Sequence, residues 1–148
     1  MDRTAAILTI GSEILSGKVM DDNSPYLCRE LRTLGVDVQR LAVVPDEEEV
    51  IAQHIQSWIG HYDFLFTCGG VGPTHDDVTI AGIAKGLGKC IVRNATLMDL
   101  IQKLYPPPLT AAIWKLTEVP EGADLIMAEG LHYPVITVSI HSDLIYCA

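Results

Sequence analysis

Three glycines within four positions, followed closely by two adjacent aspartates, form the segment of this sequence best suited to chemistry. The segment is Gly69-Gly70-Val71-Gly72-Pro73-Thr74-His75-Asp76-Asp77. Because glycine lacks a Cβ atom, such a loop can turn sharply and approach a ligand closely. It leads into a predicted helix, whose free N–H groups and dipole favour an anion such as phosphate. Taken alone, the loop fits a phosphate cradle and a tight turn capped by Thr74, Asp76 or Asp77 equally well.

Two further acids, Glu13 and Asp46, follow the ends of two predicted strands. Ligands of open, mostly parallel sheets bind outside the carboxyl ends of the strands, so we expect these acids and Asp76 at one edge. Clustered carboxylates repel one another unless protonation, a basic partner or a divalent cation offsets their charge. Mg²⁺ commonly joins one or two carboxylates to substrate phosphates. The sequence therefore predicts a metal-nucleotide or metal-diphosphate ligand, for which we expect Asp46 and Asp76 as metal ligands. The alternative is that these acids only cap helices and face water.

Strand-like and helix-like segments alternate along the part of the chain that carries these residues. Short apolar runs typical of buried strands lie at 5–10, 36–44 and 64–67, with further strands predicted at 125–127 and 135–138. Helical spacing of apolar residues predicts helices at 24–34, 46–59, 77–87 and 94–104, the first capped by Ser24, the second by Asp46 and the last by Asn94. This order predicts an α/β fold with a mostly parallel sheet and helices on both faces.

Composition narrows the class of protein. The 148 residues are 49% hydrophobic and 20% charged, which suits one globular domain over residues 1–148. The net charge of −9 and the lack of a basic cluster argue against binding to nucleic acid or to an anionic membrane. The four cysteines lack zinc-site spacing, and the sequence shows no signal peptide or bilayer-spanning run. We therefore expect a cytoplasmic protein with free thiols.

Four segments together resemble the molybdopterin-binding domain family. They are residues 9–17, 21–24, 44–46 and 69–79. The likeness is greatest to the branch found at the N-terminus of CinA-like proteins and of eukaryotic FAD synthases, and it covers about residues 5–88. The resemblance implies a three-layer α/β/α sandwich that forms homo-oligomers, either dimers or trimers.

The resemblance also implies activities and roles. In the CinA and FAD synthase branch, it implies metal-dependent pyrophosphate hydrolysis of FAD or ADP-ribose. In the molybdenum-cofactor branch, it implies molybdopterin binding, with adenylyl transfer from Mg-ATP in some members. The residues that would hold the phosphate or pterin are Gly69, Gly70, Gly72 and Thr74. Further ligand-binding residues would be Ser12 and Glu13, which would line the opposite wall of the site, and Gly11. Asp76 and Asp77 would lie at the reacting or metal-binding position, and Asp46 would be a further acid.

Two departures from the family pattern affect these expectations. Ser12 stands where many relatives have aspartate, which removes one possible metal ligand. Residues 139–148 also differ from the relatives, which continue through a Pro-Gly-x-Pro turn into a final helix. The sequence therefore predicts an incomplete or atypical C-terminal end of the domain. A catalytically silent regulatory domain of an FAD synthase-like protein is accordingly a third hypothesis.

Overall fold

The structure, a computed structural model, describes residues 3–141 and 143–147. Its strands are β1 (Arg3–Ile10), β2 (Val36–Val44), β3 (Phe64–Cys68), β4 (Ile91–Arg93), β5 (Glu118–Pro120), β6 (Asp124–Ile126), β7 (Val135–Ile140) and β8 (Asp143–Cys147). Its helices are α1 (Ser12–Leu15), α2 (Asn23–Thr33), α3 (Glu48–Trp58), α4 (Thr79–Gly86), α5 (Ala95–Leu104) and α6 (Ala111–Lys115).

The main sheet has six strands in the order β2-β1-β3-β8-β7-β6. Strands β2, β1, β3 and β8 run parallel, whereas β7 is antiparallel to β8 and β6 is antiparallel to β7. Strands β4 and β5 form a separate antiparallel pair. The predicted α/β fold with a mostly parallel sheet is therefore confirmed.

Strand β1 is buried on both faces, which explains its continuous apolar run. Its side chains at Ala5 and Ile7 pack with Leu31 of α2 on one face of the sheet. Leu8 and Ile10 pack on the other face, in a core that also contains buried residues of α3, α4 and α5. The sheet thus lies between helices on both sides, as in a three-layer sandwich. Among the residues described, no helix combines the length and apolarity that crossing a bilayer requires.

The segment that departs from the family pattern contains the strand β8, which the sequence analysis did not predict. Ser142 and Ala148 lie outside the described residues. β8 lies between β3 and β7, parallel to the first and antiparallel to the second. Its Ile145 and Cys147 are buried in the core. The hydroxyl of Thr67 donates to the carbonyl of Tyr146, 79 positions away, at 3.4 Å. A partner so distant in sequence leaves no local pattern to detect.

The start of α2 differs from the prediction that Ser24 is its N-cap. The helix begins at Asn23, so Ser24 lies within its first turn. The hydroxyl of Ser24 is buried and lies 2.7 Å from the hydroxyl of Thr9 in β1. Its amide donates to the carboxylate of Asp21, three residues earlier, at 3.0 Å, the spacing of an N-terminal capping bond. Ser24 therefore anchors the helix to the sheet, and Asp21 accepts the amide hydrogen bond expected of a cap.

Asp63, just before β3, connects the start of that strand to the start of β1. Its carboxylate accepts hydrogen bonds from the amide and the hydroxyl of Thr4, at 2.8 and 3.2 Å. The Thr4 amide is the main cause that lowers the pKa of Asp63 below its ordinary value of 3.8, and Arg3 acts in the same direction. Asp63 therefore stabilises the fold more when it is ionised than when it is protonated.

We expect Asp63→Asn to lower the denaturation midpoint at pH 7, because the variant lacks the charge that these donors favour. A group with a depressed pKa contributes its full stability above its unfolded pKa and loses it as the pH falls through the folded pKa. The difference between the wild type and the variant should therefore shrink as the pH falls below about 4. Thermal denaturation followed by circular dichroism from pH 2 to 7 measures this. The exposed Asp99→Asn on α5 is the control, and an equal midpoint loss in both variants would contradict the prediction.

Candidate functional site

The turns that follow β1, β2 and β3 meet at the carboxyl edge of the parallel strands. They border an open hollow of about 490 Å³. Its lining residues are Ser12, Glu13, Asp46, Asp76 and Asp77. The structure therefore brings together the acids that were predicted to lie at one edge, although they are up to 63 positions apart in the chain. Four carboxylates around one hollow form a strongly negative surface that favours a cation.

Ser12 and Asp46 join the first two turns. The amide of Ser12 donates to Oδ2 of Asp46 at 2.8 Å, and the amide of Asp46 donates to Oγ of Ser12 at 3.2 Å. Asp46 was predicted to cap α3, but the N-cap is Glu47. One oxygen of Asp46 is therefore used to fix the turn after β1. A Cβ atom at position 11 would collide with the carboxylate of Glu13, so Gly11 leaves room for that side chain.

The glycine loop, defined as residues 69–77, is anchored by the first residue of α4. The hydroxyl of Thr79 donates to the carbonyl of Gly69 at 2.7 Å, and its amide donates to the carbonyl of Gly70 at 3.1 Å. Both glycines have positive φ angles, 93° and 66°. A Cβ atom at Gly69 would collide with the carbonyl oxygen of Ile10, and one at Gly70 would collide with the hydroxyl of Thr79. Close backbone packing therefore requires glycine at both positions.

Asp77 points into the glycine loop. Its Oδ2 accepts hydrogen bonds from the amide and the hydroxyl of Thr74, at 2.9 and 2.6 Å. Partial burial raises the pKa of Asp77, but hydrogen bonds from Thr74 and Gly72 and the charge of Lys115 outweigh burial and lower that pKa. The amide of Thr74, a residue expected to contact phosphate, thus donates to a carboxylate of the loop itself.

Asp76 and His75 extend towards solvent at the mouth of the hollow. The side chain of Asp76 is 78% exposed, and its Oδ1 lies 3.2 Å from Nε2 of His75, which is 93% exposed. Adjacent aspartates therefore occupy different environments. Asp77 orders the loop, while the carboxylate of Asp76 faces the space that a ligand would enter.

Lys115 is a site residue that the sequence analysis missed. It ends the short helix α6, and its Nζ donates to the carbonyl of Thr74 at 2.5 Å. It also lines a small cavity of about 30 Å³ together with Gly70, Gly72 and Asp77. The predicted helices stopped at the prolines before α6, and Lys115 lies 38 positions after Asp77. A lone lysine at that distance gives no sequence signal.

The carboxylates that line the hollow are the candidate ligands for the predicted divalent cation. Within residues 3–141 and 143–147, no group of three or more His, Cys, Asp or Glu side chains is arranged to hold a metal ion. Mg²⁺, however, is commonly held by one or two carboxylates together with phosphate oxygens of the substrate. Asp46 and Asp76 supply that smaller set. The residues therefore fit a cation that binds together with its ligand, rather than an all-protein metal cage.

The family model described as "Probable molybdopterin binding domain" matches residues 6–136. The chain belongs to the molybdopterin-binding domain family. This match contains the turns after β1, β2 and β3, as well as α6. The resemblance expected from the sequence motifs is therefore confirmed, and it extends beyond the 5–88 segment on which those motifs lie.

Curated relatives connect this molybdopterin-binding domain with two kinds of longer protein. It is 50% identical over 104 residues to a "Probable FAD synthase" of Caenorhabditis elegans, covering 70% of this chain and 20% of the relative. It is 36% identical over 127 residues to a "CinA-like protein" of Thermotoga neapolitana, covering 84% of this chain and 31% of the relative. The chain thus spans less than a third of the length of either relative.

Solved structures show the same fold. The domain resembles the protein CinA of unknown function from Thermoplasma acidophilum, with a TM-score of 0.91, 26% identity, and coverage of 99% of this chain and 87% of that chain. It also resembles the molybdopterin biosynthesis enzyme MoaB from Thermus thermophilus, with a TM-score of 0.61, 18% identity, and coverage of 98% and 79%. The three-layer architecture of this molybdopterin-binding domain is therefore shared with CinA and MoaB.

Proposed function

We propose that this domain binds a dinucleotide or nucleotide-sugar diphosphate, such as FAD or ADP-ribose, and hydrolyses its pyrophosphate bond with the help of a divalent cation. The observation that carries the proposal is the hollow where Glu13, Asp46 and Asp76 meet the glycine loop. Carboxylates beside a glycine loop that leads into a helix are an arrangement that suits a metal-bound diphosphate. The likeness to a probable FAD synthase supports FAD as a member of that substrate class.

The residues around the hollow would bind the cation, contact the diphosphate and accept the proton of the attacking water. Asp46, fixed by Ser12, and Asp76 would hold the cation, which supplies positive charge against the phosphate oxygens. The loop at Gly70 and Gly72 would contact the diphosphate. Asp76 would also accept a proton from the attacking water while the water oxygen bonds to phosphorus. The P–O bond that links the two phosphates breaks, and its electron pair leaves with AMP or with the second phosphate product.

To test the proposal, purified protein is incubated with FAD or ADP-ribose in the presence of Mg²⁺, Mn²⁺ or Co²⁺, and the AMP released is measured by chromatography. We expect metal-dependent release of AMP, reduced about 100-fold in Asp46→Asn and in Asp76→Asn. Asp99→Asn, which makes the same charge change on the exposed surface of α5, should retain wild-type activity. A folded wild-type protein that releases no AMP with any of the three metals would eliminate the hydrolase proposal.

Pterin binding is the second candidate, and the family match over residues 6–136 favours it. In that case the hollow and the glycine loop would bind molybdopterin, with adenylyl transfer as the associated reaction. Measured binding of molybdopterin together with no binding of FAD or ADP-ribose would support this candidate. Binding without turnover of any of these ligands would support the regulatory hypothesis. The homo-oligomer implied by the resemblance stays a prediction, which sedimentation equilibrium would check.

A further inference from the structure

Lys115 brings a positive charge to the glycine loop that borders the acidic hollow. A diphosphate approaching the hollow meets four carboxylates, on a chain whose net charge is −9. Repulsion between a negatively charged ligand and these carboxylates raises the free energy of the bound state unless a cation offsets it. Lys115 is the basic side chain that contacts the glycine loop among the residues described, through the carbonyl of Thr74.

The contact of Lys115 bears directly on the shape of the glycine loop. Its ammonium has three donors, and one of them is directed at the Thr74 carbonyl. The amide and the hydroxyl of the same Thr74 donate to Asp77. Thr74 is therefore fixed from both sides, by a cation at its carbonyl and an anion at its amide. Asp77, in turn, borders both the hollow and the cavity that Lys115 lines.

Helix α6 is itself well anchored, so Lys115 has a defined position. The hydroxyl of Tyr133 donates to the carbonyl of Leu116, directly after Lys115. The guanidinium of Arg93 lies over the ring of Trp114, 5.5 Å from its centre. The N-cap Thr110 accepts a hydrogen bond from the amide of Ile113. A short helix fastened in this way can hold a lysine against a loop from a different part of the chain.

We propose that Lys115 is a positioning residue that keeps the glycine loop in its phosphate-binding conformation, by bonding the Thr74 carbonyl and offsetting the charge of Asp77. The inference rests on the proposed function, since it assumes that the loop receives a phosphate. It deepens that function by assigning the shape of the phosphate-binding loop to a residue outside the predicted motif.

The test compares three variants at Lys115 by calorimetric titration with inorganic pyrophosphate and with ADP-ribose, each with and without Mg²⁺. Lys115→Met removes both the charge and the donor, and we expect it to weaken binding of pyrophosphate about tenfold. Lys115→Gln keeps a donor without the charge and should bind with intermediate affinity. Lys115→Arg keeps both and should restore most of the wild-type affinity. Lys103→Met, an exposed lysine on α5, controls for the change in net charge.

Thermal denaturation of the same variants separates positioning from simple stabilisation. A purely structural role would lower the melting temperature of Lys115→Met while leaving the affinity of the folded protein for pyrophosphate unchanged, which would overturn the inference. If the wild type binds pyrophosphate in a Lys115-dependent way but releases no AMP, the hydrolase proposal fails and the inference stands. If AMP is released and binding is unaffected by Lys115→Met, only the inference fails. A wild type that binds neither ligand overturns both.

Discussion

Replacing Ile145 by alanine is expected to lower the free energy of unfolding by about 2–5 kcal/mol. Ile145 is completely buried and lies in the core cluster together with Leu65 and Val138 of the two neighbouring strands. Removing three carbons at the centre of a six-stranded sheet leaves a cavity that rigid strands on both sides cannot fill. Urea denaturation followed by circular dichroism measures the loss.

Leu144→Ala provides the matched control, because Leu144 lies on the same strand but points to the opposite, half-exposed face. We expect the free energy of unfolding of Leu144→Ala to be about 1 kcal/mol lower than that of the wild type. A pair of equal, small losses would show that β8 does not fill the centre of the sheet. The comparison therefore tests the element that the sequence analysis did not predict.

Replacing Gly69 by alanine is the second substitution with a large expected effect, a loss of about 2–5 kcal/mol. Two costs combine at this position. Gly69 has a φ of 93°, which residues with a side chain rarely adopt, and a Cβ atom there would collide with the carbonyl oxygen of Ile10. That oxygen belongs to the backbone of a central strand and cannot move aside.

Gly88→Ala isolates the first of these costs. Gly88 has a φ of 64°, but nothing lies within 4 Å of where its Cβ atom would be. We expect a loss of about 1 kcal/mol from backbone strain alone. Denaturation of both variants gives the difference, which is the cost of the collision. If Gly69→Ala is no more destabilising than Gly88→Ala, the close packing of the glycine loop on β1 is wrong.

The sequence predicted most of what lies between β1 and α5 because each of those elements is defined by its own residues. The apolar runs of β1 and β3 and the N-cap Asn94 are local signals. The cap is confirmed, because the side chain of Asn94 accepts a hydrogen bond from the amide of Leu97. The juxtaposition of Glu13, Asp46 and Asp76 followed from a rule about parallel sheets rather than from any contact.

What the sequence did not predict depends on partners that are distant in the chain. Strand β8 requires β3 as its neighbour, and Lys115 requires Thr74. The inward orientation of Asp77 was also missed, since neighbouring aspartates look equivalent until their donors are known. Ser24 was predicted to be an N-cap from its neighbours in the sequence. The partner of its hydroxyl is Thr9, which lies in a strand, so the sequence of the helix alone could not reveal it.

The central position of β8 also constrains how the polypeptide acquires its structure during synthesis. Until residues 143–147 have left the ribosome, β3 and β7 lack the strand that joins them, and their backbone edges are unpaired. Unpaired strand edges of this kind are sites of aggregation, so a strand that is placed centrally but synthesised late lengthens the exposure of those edges.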